Sequence, residues 1–440
     1  MKQSGQKAFS RLAPFLMLTA ALLCVLALAV FGGGAPGAEA APPVEASAPS
    51  AALPAPAGLR IAVASDTHLD PDNTDKSGTV SETVYNLEIV DAMLWDAREQ
   101  GAEILLITGD LCNSGRESKH AALLGKLRAA EEAGLAVYVL PGNHDLAPIK
   151  QTDFARLYAD FGFDEAFSRD PASLSYCVIR DHLLLLMMDT AGYGAGAIDL
   201  PGAAARDNNE AFFSEETLRW TEEMLQKAQE EGLFVLAAGH YNLLPEISHQ
   251  QGSGYYVENG GRFAALLRQY GVPLWLSGHM HLRAVYEADG LTEQLTECLI
   301  AYPTGYTVLD LTADALRVTP RRVDVDAWAE QAGQADPVLL HFADWQEQAM
   351  QRYCRTTVEA MAQRNVITAQ EQAAAADFFY AVMRAYWDGT LPSRADTLRA
   401  MAGYAPFFRC AEGYSYGWWL KDLMESASPK LAGFTISFAS

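Results

Sequence analysis

From Leu59 onward the chain alternates short, continuous apolar runs with longer amphipathic segments. Six apolar runs predict buried strands, and they begin at Arg60, Glu103, Leu135, Leu183, Leu233 and Val272. The amphipathic segments between them predict helices at 81–100, 117–133, 214–231 and 261–270. Continuous apolar strands that alternate with helices are typical of an α/β sheet covered on both faces. Two further runs, 173–179 and 306–311, predict additional antiparallel strands, so the pattern favours two packed sheets with helices outside.

The pattern changes after Val323, where the strand signals stop. Apolar residues then recur at helical spacing, namely Phe342, Trp345, Ala349, Tyr353 and Met361. Thr368 and Glu371 form a capping box that opens another helix, and Gly389 is placed to close it. Residues 58–322 are therefore predicted to form the main domain, and 323–440 a helical C-terminal domain.

The N-terminal segment, residues 1–40, has the pattern of an export signal. Three basic residues precede an apolar stretch at 12–31, and the small-residue sequence AEA at 38–40 fits a cleavage site. The apolar stretch is also near the length of a membrane span, so the segment predicts either a signal peptide or an N-terminal membrane anchor. A Pro/Ala-rich linker follows at 41–57. We expect an extracytoplasmic protein, secreted or membrane-anchored, with membrane or cell-wall association through this N-terminus.

Composition narrows the range of partners. The 440 residues carry a formal net charge of −23, which argues against general nucleic-acid binding because a nucleic-acid surface requires a basic face. A small phosphate substrate stays compatible with this charge, since bound metal ions supply local positive charge. The six cysteines contain no CxxC pair, so neither a disulfide framework nor a thiolate zinc site is indicated.

Polar residues with metal-binding chemistry follow five of the predicted strands. They stand in the motifs SDTH, TGD, PGNHD, GH and SGHMH, which contain Asp66, His68, Asp110, Asn143, His144, Asp145, His240, His279 and His281. Each motif alone is weak, because a D-x-H pair or a GNHD segment is more often a turn. Their joint occurrence at strand ends is informative, since the carboxyl ends of parallel strands meet at one rim of a sheet.

In this order, the motifs D-x-H, G-D, G-N-H-D, a histidine and G-H-x-H resemble the calcineurin-like metallophosphoesterase family. The resemblance covers residues 59–312, and the segment GDLCNSGRESKH at 109–120 is most similar to bacterial exported, cyclic-nucleotide-phosphodiesterase-like members. It implies a four-layer α/β/β/α sandwich of two mixed sheets, here followed by an α-helical C-terminal region. The C-terminal part is not explained by the resemblance.

The resemblance also implies a cofactor of two divalent metal ions. One ion would be held by Asp66, His68, Asp110 and His281, and the second by Asp110, Asn143, His240 and His279. A carboxylate, amide and imidazole set without thiolates suits Mn, Fe or Zn.

Such a centre hydrolyses phosphate esters through a hydroxide that the two metals activate. His144 would stabilise the transition state or protonate the leaving alkoxide, and Asp145 would orient and charge that imidazole. The leading prediction is hydrolysis of phosphodiesters, with a small phosphate ester such as a nucleotide as substrate. Two alternatives stay open: a phosphomonoesterase acting on nucleotides or phosphoproteins, and a metal-dependent surface binding protein that acts through the C-terminal helices.

Other polar residues are assigned no role in the chemistry. His120 and His182 are predicted to be solvated, and Cys112 to be a small buried filler. The glycine- and alanine-rich connection at 191–213 is either a substrate-selecting loop or a plain surface loop.

Overall fold

A computed structural model describes residues 56, 58–73, 84–192, 197–200, 210–244 and 254–438. The predicted signal or anchor at 1–40 and nearly all of the linker at 41–57 lie outside these residues, as does part of the connection at 191–213. Within the described ranges, none of the helices combines the length and apolar character needed to cross a bilayer.

The first sheet has six strands, with a parallel centre and an antiparallel flank. Its strands, in chain order, are β1 (Leu59–Ala64), β2 (Ile104–Ile107), β3 (Ala136–Val139), β11 (Gly305–Leu311), β12 (Ala315–Arg322) and β13 (Phe434–Ser437). They are arranged as β13-β12-β11-β1-β2-β3, in which β1, β2 and β3 run parallel and β11 is antiparallel to β1. All four residues of β2 are buried, which explains its uninterrupted apolar sequence.

The second sheet has seven strands. In chain order these are β4 (Ser168–Arg169), β5 (Tyr176–Arg180), β6 (Leu183–Met187), β7 (Phe234–Ala238), β8 (Leu274–Ser277), β9 (Ala284–Ala288) and β10 (Leu291–Leu295). They are arranged as β4-β5-β6-β7-β8-β10-β9. The central strands β6, β7, β8 and β10 are parallel, whereas β5 and β9 are antiparallel to their neighbours, so this sheet is mixed as well.

The two sheets face each other, and helices cover their outer sides. The helices of this domain are α1 (Asn86–Glu99), α2 (Glu117–Glu132), α3 (Gln151–Leu157), α4 (Glu215–Glu231) and α5 (Gly260–Gln269). Alternate residues of the second sheet point to opposite sides: Leu185 and Leu236 join the core between the sheets, whereas Leu184 and Val235 pack under α4 and α5. The predicted four-layer α/β/β/α sandwich is thereby confirmed.

The C-terminal region is helical, and its apolar core is completed by residues of the sandwich, Met280, Leu282 and Leu295 among them. Its helices are α6 (Val325–Gln331), α7 (Phe342–Ala362), α8 (Ala369–Trp387), α9 (Leu391–Arg399), α10 (Tyr404–Cys410) and α11 (Ser415–Ser426). The capping box of Thr368 and Glu371 opens α8 as predicted, and Gly389 follows its end with a left-handed φ of 69°. The expectation that strands stop after Val323 is wrong at one place, since β13 pairs with β12 and thus returns the chain to the first sheet.

Candidate metal centre

The five motifs converge because each directly follows a strand that ends at the same side of the sandwich. The structure brings all seven predicted ligands together there. Their donor atoms form two groups, each with ligand atoms within 4.8 Å of one another: Asp66, His68, Asp110 and His281 in one, and Asp110, His240 and His279 in the other. Asn143 joins the second group, with its Oδ1 3.2 Å from His240 Nε2. Asp110 belongs to both groups.

Asp110 presents one carboxylate oxygen to both groups. Its Oδ2 lies 3.5 Å from His68 Nε2 and 3.3 Å from His240 Nε2. Its Oδ1 is held in place, since it accepts a hydrogen bond of 2.9 Å from the backbone N–H of His144. The side chain is buried, so its orientation is determined by these contacts and not by solvent. An oxygen in this position can be shared by two cations.

The first group contains a buried oxygen that lacks a donor. Asp66 Oδ2 accepts hydrogen bonds from Ser65 Oγ at 2.6 Å and from the backbone N–H of His279 at 3.0 Å. Asp66 Oδ1 is buried and makes no hydrogen bond to any residue that the structure describes. It faces His281 Nε2 at 3.3 Å, and that nitrogen is 3.0 Å from His68 Nε2. Two imidazoles and an orphaned carboxylate oxygen aimed at one point fit a divalent cation.

The histidines of the second group are oriented by backbone carbonyls. His240 Nδ1 lies 2.8 Å from the carbonyl oxygen of Thr108, and His279 Nε2 lies 2.7 Å from that of Gly254. A carbonyl only accepts, so each of these nitrogens carries the proton. In the neutral imidazoles, the opposite nitrogen of each ring, Nε2 of His240 and Nδ1 of His279, keeps the lone pair that a metal ligand requires.

The electrostatics of the centre favour ionised carboxylates. Burial raises the pKa of Asp110, but the charges of His240 and His144 lower it more, so the net pKa lies well below its usual value. The pKa of Asp66 is lowered in the same way, against burial, chiefly by His281. Burial lowers the pKa of His240, and the carboxylate of Asp110 more than compensates, raising it to about 9. The two carboxylate anions, together with the nitrogen donors of the histidines, suit a hard or borderline dication.

Five of the ligands occupy a backbone conformation that non-glycine residues rarely adopt. Positive φ angles between 35° and 66° occur at Asp66, His68, Asp110, His279 and His281. Left-handed conformations cost free energy for residues with a Cβ, and they persist where the surroundings enforce them, typically at functional sites. Glycines make room for the tight turns, since a Cβ on Gly142 would overlap the carboxylate of Asp110.

His144 stands at the mouth of the centre, with 42% of its side chain exposed. Its Nδ1 lies 3.3 Å from the carbonyl oxygen of Asn113, and its ring contacts that of His68 edge to face at a centroid distance of 4.8 Å. Its Nε2 lies 4.0 Å from Asp110 Oδ2. The Nε2 atom is therefore turned toward the centre, while Nδ1 carries the proton that the Asn113 carbonyl accepts.

The prediction that Asp145 orients His144 is wrong. The Asp145 carboxylate accepts hydrogen bonds from three backbone N–H groups, those of Leu111, Cys112 and Gly142, at 2.8–3.0 Å. Burial and the charge of Asp110 raise its pKa to about 7, against these three donors. Asp145 thus ties the turn after β2 to the turn after β3, and the imidazole of His144 is oriented by the carbonyl of Asn113 instead.

The prediction that His120 is solvated is also wrong. His120 is fully buried, its Nδ1 accepts from Tyr158 Oη at 2.7 Å, and its Nε2 donates to the carbonyl of Asp145 at 3.2 Å. The sequence contains a signal for this burial, because Leu123 and Leu127 follow His120 at helical spacing and place it on the apolar face of α2. His182 is exposed and Cys112 is buried, both as predicted.

Sequence reasoning missed a buried carboxylate that supports the centre. Glu293 in β10 accepts hydrogen bonds from the backbone N–H of Leu244 at 2.7 Å and from Ser277 Oγ at 2.7 Å. It thereby holds the segment after His240 to the end of β8. Within a strand, a single glutamate gives no local signal of this role.

Comparison with known proteins identifies the family. The profile of the calcineurin-like phosphoesterases matches residues 59–283, and that of the C-terminal domain of cyclic nucleotide phosphodiesterase matches residues 324–427. The chain therefore belongs to the calcineurin-like phosphoesterase family, whose members are metal-dependent hydrolases. The buried Asp/His cluster fits such a metal site.

Solved structures of metallophosphoesterases are similar in fold. A dimetal phosphatase from Danio rerio is 13% identical, with a TM-score of 0.47, and the match covers 61% of this chain and 97% of that one. A purple acid phosphatase from yellow lupin seeds is 13% identical, with a TM-score of 0.39, and covers 60% of this chain and 51% of that one. A search of curated proteins found no match.

Proposed function

We propose that this protein hydrolyses phosphate esters, phosphodiesters foremost, with two divalent metal ions. The observation that carries the proposal is the position of Asp110 Oδ2, which faces His68 in one ligand group and His240 in the other. Two ions held by these groups would supply an activated water at neutral pH and positive charge for the phosphate oxygens.

The residues divide into two ligand sets around Asp110. Asp66, His68 and His281 would complete the first set, and Asn143, His240 and His279 the second. Mn, Fe and Zn are the candidate ions, because the set combines imidazole, carboxylate and amide donors.

His144 would act on the leaving group. Its Nδ1–H donates to the Asn113 carbonyl, which fixes the ring and leaves Nε2 facing the centre. A proton held at Nε2 can be passed to the ester oxygen that departs from phosphorus, and a charged ring there stabilises the developing negative charge. The partial exposure of His144 suits this role, since a substrate must be able to reach it.

A diester substrate is favoured by the C-terminal region. Residues 324–427 match the C-terminal domain of cyclic nucleotide phosphodiesterase, an enzyme that cleaves a phosphodiester. The substrate would be a small phosphate ester, a nucleotide among the candidates, because a chain of net charge −23 does not suit a polyanion. The N-terminal pattern supports action outside the cytoplasm, either secreted or at the membrane.

Hydrolysis of bis(p-nitrophenyl) phosphate, compared with p-nitrophenyl phosphate, tests this function. The protein is stripped of metal with a chelator and re-supplied with Mn, Fe or Zn. Asp110→Asn is the test variant, and Asp314→Asn, at an exposed turn, is the matched control. Metal-dependent diester turnover that only Asp110→Asn abolishes supports the proposal. Preference for the monoester would make the protein a phosphatase, and inactivity on both esters with metals bound would favour a surface binding protein.

A further inference from the structure

Arg283 connects the metal centre to the C-terminal helical region. It is the last residue of the segment 278–283, which carries His279 and His281 and is hereafter called the histidine loop. The Arg283 guanidinium is buried, its Nη1 lies 3.3 Å from Glu297 Oε1, and its Nη2 donates to the carbonyl of Trp387. The backbone carbonyl of Arg283 in turn accepts from Tyr386 Oη. Both contacts to the helical region are made with the last two residues of α8, Tyr386 and Trp387. A cation at the C-terminal end of a helix is favoured by the helix dipole.

The Arg283–Glu297 pair is poorly explained by fold stability. Both side chains are buried, yet Arg283 Nε and Glu297 Oε2 have no hydrogen-bond partner in the part of the chain that the structure describes. A partly satisfied buried ion pair contributes little or nothing compared with apolar residues of the same volume. The glycine at position 305 nevertheless leaves room for the ion pair, since a Cβ there would overlap Glu297 Oε1.

The histidine loop needs support from outside itself. His279 and His281 both have positive φ angles, 66° and 53°, which are unfavourable without contacts that enforce them. On the side facing the helical region, Met280 and Leu282 join the apolar core of the C-terminal helices but also line an open cavity of about 300 Å³ beside Trp419. Packing on this side is therefore incomplete, and the directional bonds of Arg283 supplement it.

We propose that the C-terminal helical region sets the metal affinity of the centre by fixing the histidine loop through Arg283. Arg283 is a positioning residue: it touches no ligand group itself and acts through the backbone that carries His279 and His281. This inference rests on the proposed two-metal function. It assigns the helical region a part in building the site, in addition to any role in selecting substrates.

The test variant is the double substitution Arg283→Met with Glu297→Gln. Removing both charges avoids leaving one of them buried alone, so the fold is expected to survive. The matched control is Arg322→Met. Arg322 also joins the two regions, with Nη1 3.2 Å from Glu347 Oε1 and Nη2 3.1 Å from Asp388 Oδ1, but it does not contact the histidine loop.

Three readouts separate a positioning role from a structural one. The first is Mn²⁺ affinity, by competition with a chelator, and the second is the Mn²⁺ electron paramagnetic resonance signal of a coupled pair. The third is amide hydrogen exchange of residues 278–283 in metal-free protein. We expect the double variant to bind Mn²⁺ at least about tenfold more weakly, lose the coupled signal and exchange faster in the loop, with its urea unfolding midpoint unchanged. The control is expected to match the wild type in all three.

Each outcome decides a separate question. Wild-type affinity and loop protection in the double variant would overturn the inference while the two-metal function stands. A wild-type protein that binds no Mn²⁺, Fe²⁺ or Zn²⁺ would overturn the proposed function, and with it the inference. If the double variant does not fold, Tyr386→Phe replaces it, since this change deletes only the hydroxyl that donates to the Arg283 carbonyl. Faster loop exchange and weaker binding are again expected, and their absence contradicts the proposal.

Discussion

His240 donates its Nδ1–H to the carbonyl oxygen of Thr108, and its Nε2 points at the carboxylate of Asp110, two residues further along the same turn. The turn after β2 therefore supplies both Asp110, the proposed shared ligand, and the carbonyl that selects the tautomer of His240, a second proposed ligand. A histidine fixed in this way loses little conformational entropy when it binds a metal ion, because its ring is already oriented.

Replacing His144 is expected to separate catalysis from metal binding. Because His144 belongs to neither ligand group, His144→Asn should leave metal content unchanged and lower kcat for the diester by roughly 10²–10³-fold. Steady-state kinetics and elemental analysis of the same sample check this. His182→Asn, at an exposed turn, is the control and should be fully active. Loss of metal from His144→Asn would assign His144 a structural role.

Metal content should distinguish the shared ligand from a ligand of one group. Asp110→Ala is expected to weaken both sites, because its Oδ2 faces both groups, whereas Asn143→Ala should weaken only the second. After dialysis against a weak chelator, Asn143→Ala should keep about one ion per chain and Asp110→Ala close to none. Equal ion counts in the two variants would contradict the assignment of Asp110 to both groups.

Replacing Asp145 is expected to lower the free energy of unfolding. Asp145→Asn places an amide NH₂ where a carboxylate oxygen accepts from backbone N–H groups, so at least one buried donor loses its partner. We expect the free energy of unfolding to fall by about 2–3 kcal/mol, measured by urea denaturation of metal-free protein. Asp164→Asn, an exposed carboxylate, should change it by less than about 0.5 kcal/mol. A neutral result at Asp145 would show that the carboxyl is protonated in the folded state.

His120 should make the metal-free protein sensitive to mild acid. Burial lowers its pKa from 6.5 to about 4, so it stays neutral when folded and becomes protonated when unfolded. Its contribution to stability is complete above about pH 6.5 and is lost as the pH falls toward 4. Between pH 7.5 and pH 5 this amounts to about 2 kcal/mol.

The variant His120→Gln tests that assignment. Glutamine keeps an acceptor for Tyr158 and a donor for the Asp145 carbonyl but does not titrate. Urea denaturation at pH 7.5 and pH 5, in the presence of a chelator, should show a smaller acid loss in His120→Gln than in the wild type. Identical losses would mean that other groups cause the pH dependence.

The sandwich and the convergence of the buried Asp/His cluster could be predicted because both depend on local signals. The run from Arg60 to Ser65 reads as a buried strand, and Asp66 and His68 follow it in a known motif. The partners of Asp145 could not be predicted, because its carboxylate bonds to backbone groups that carry no residue-specific signal. The same holds for Arg283, whose partner at the end of α8 lies about a hundred residues away and is a carbonyl.

The strand β13 completes the first sheet only after the whole helical region has been built between it and its neighbour. Leu316 in β12 pairs with Ile436 in β13, so residues 323–433 form an excursion between two hydrogen-bonded strands. While the chain folds, β12 remains an open sheet edge until residues 434–437 pair with it, and open edges are prone to pair with other chains. A folding intermediate that has formed the helical region but has not yet added β13 should therefore be the species most prone to aggregation.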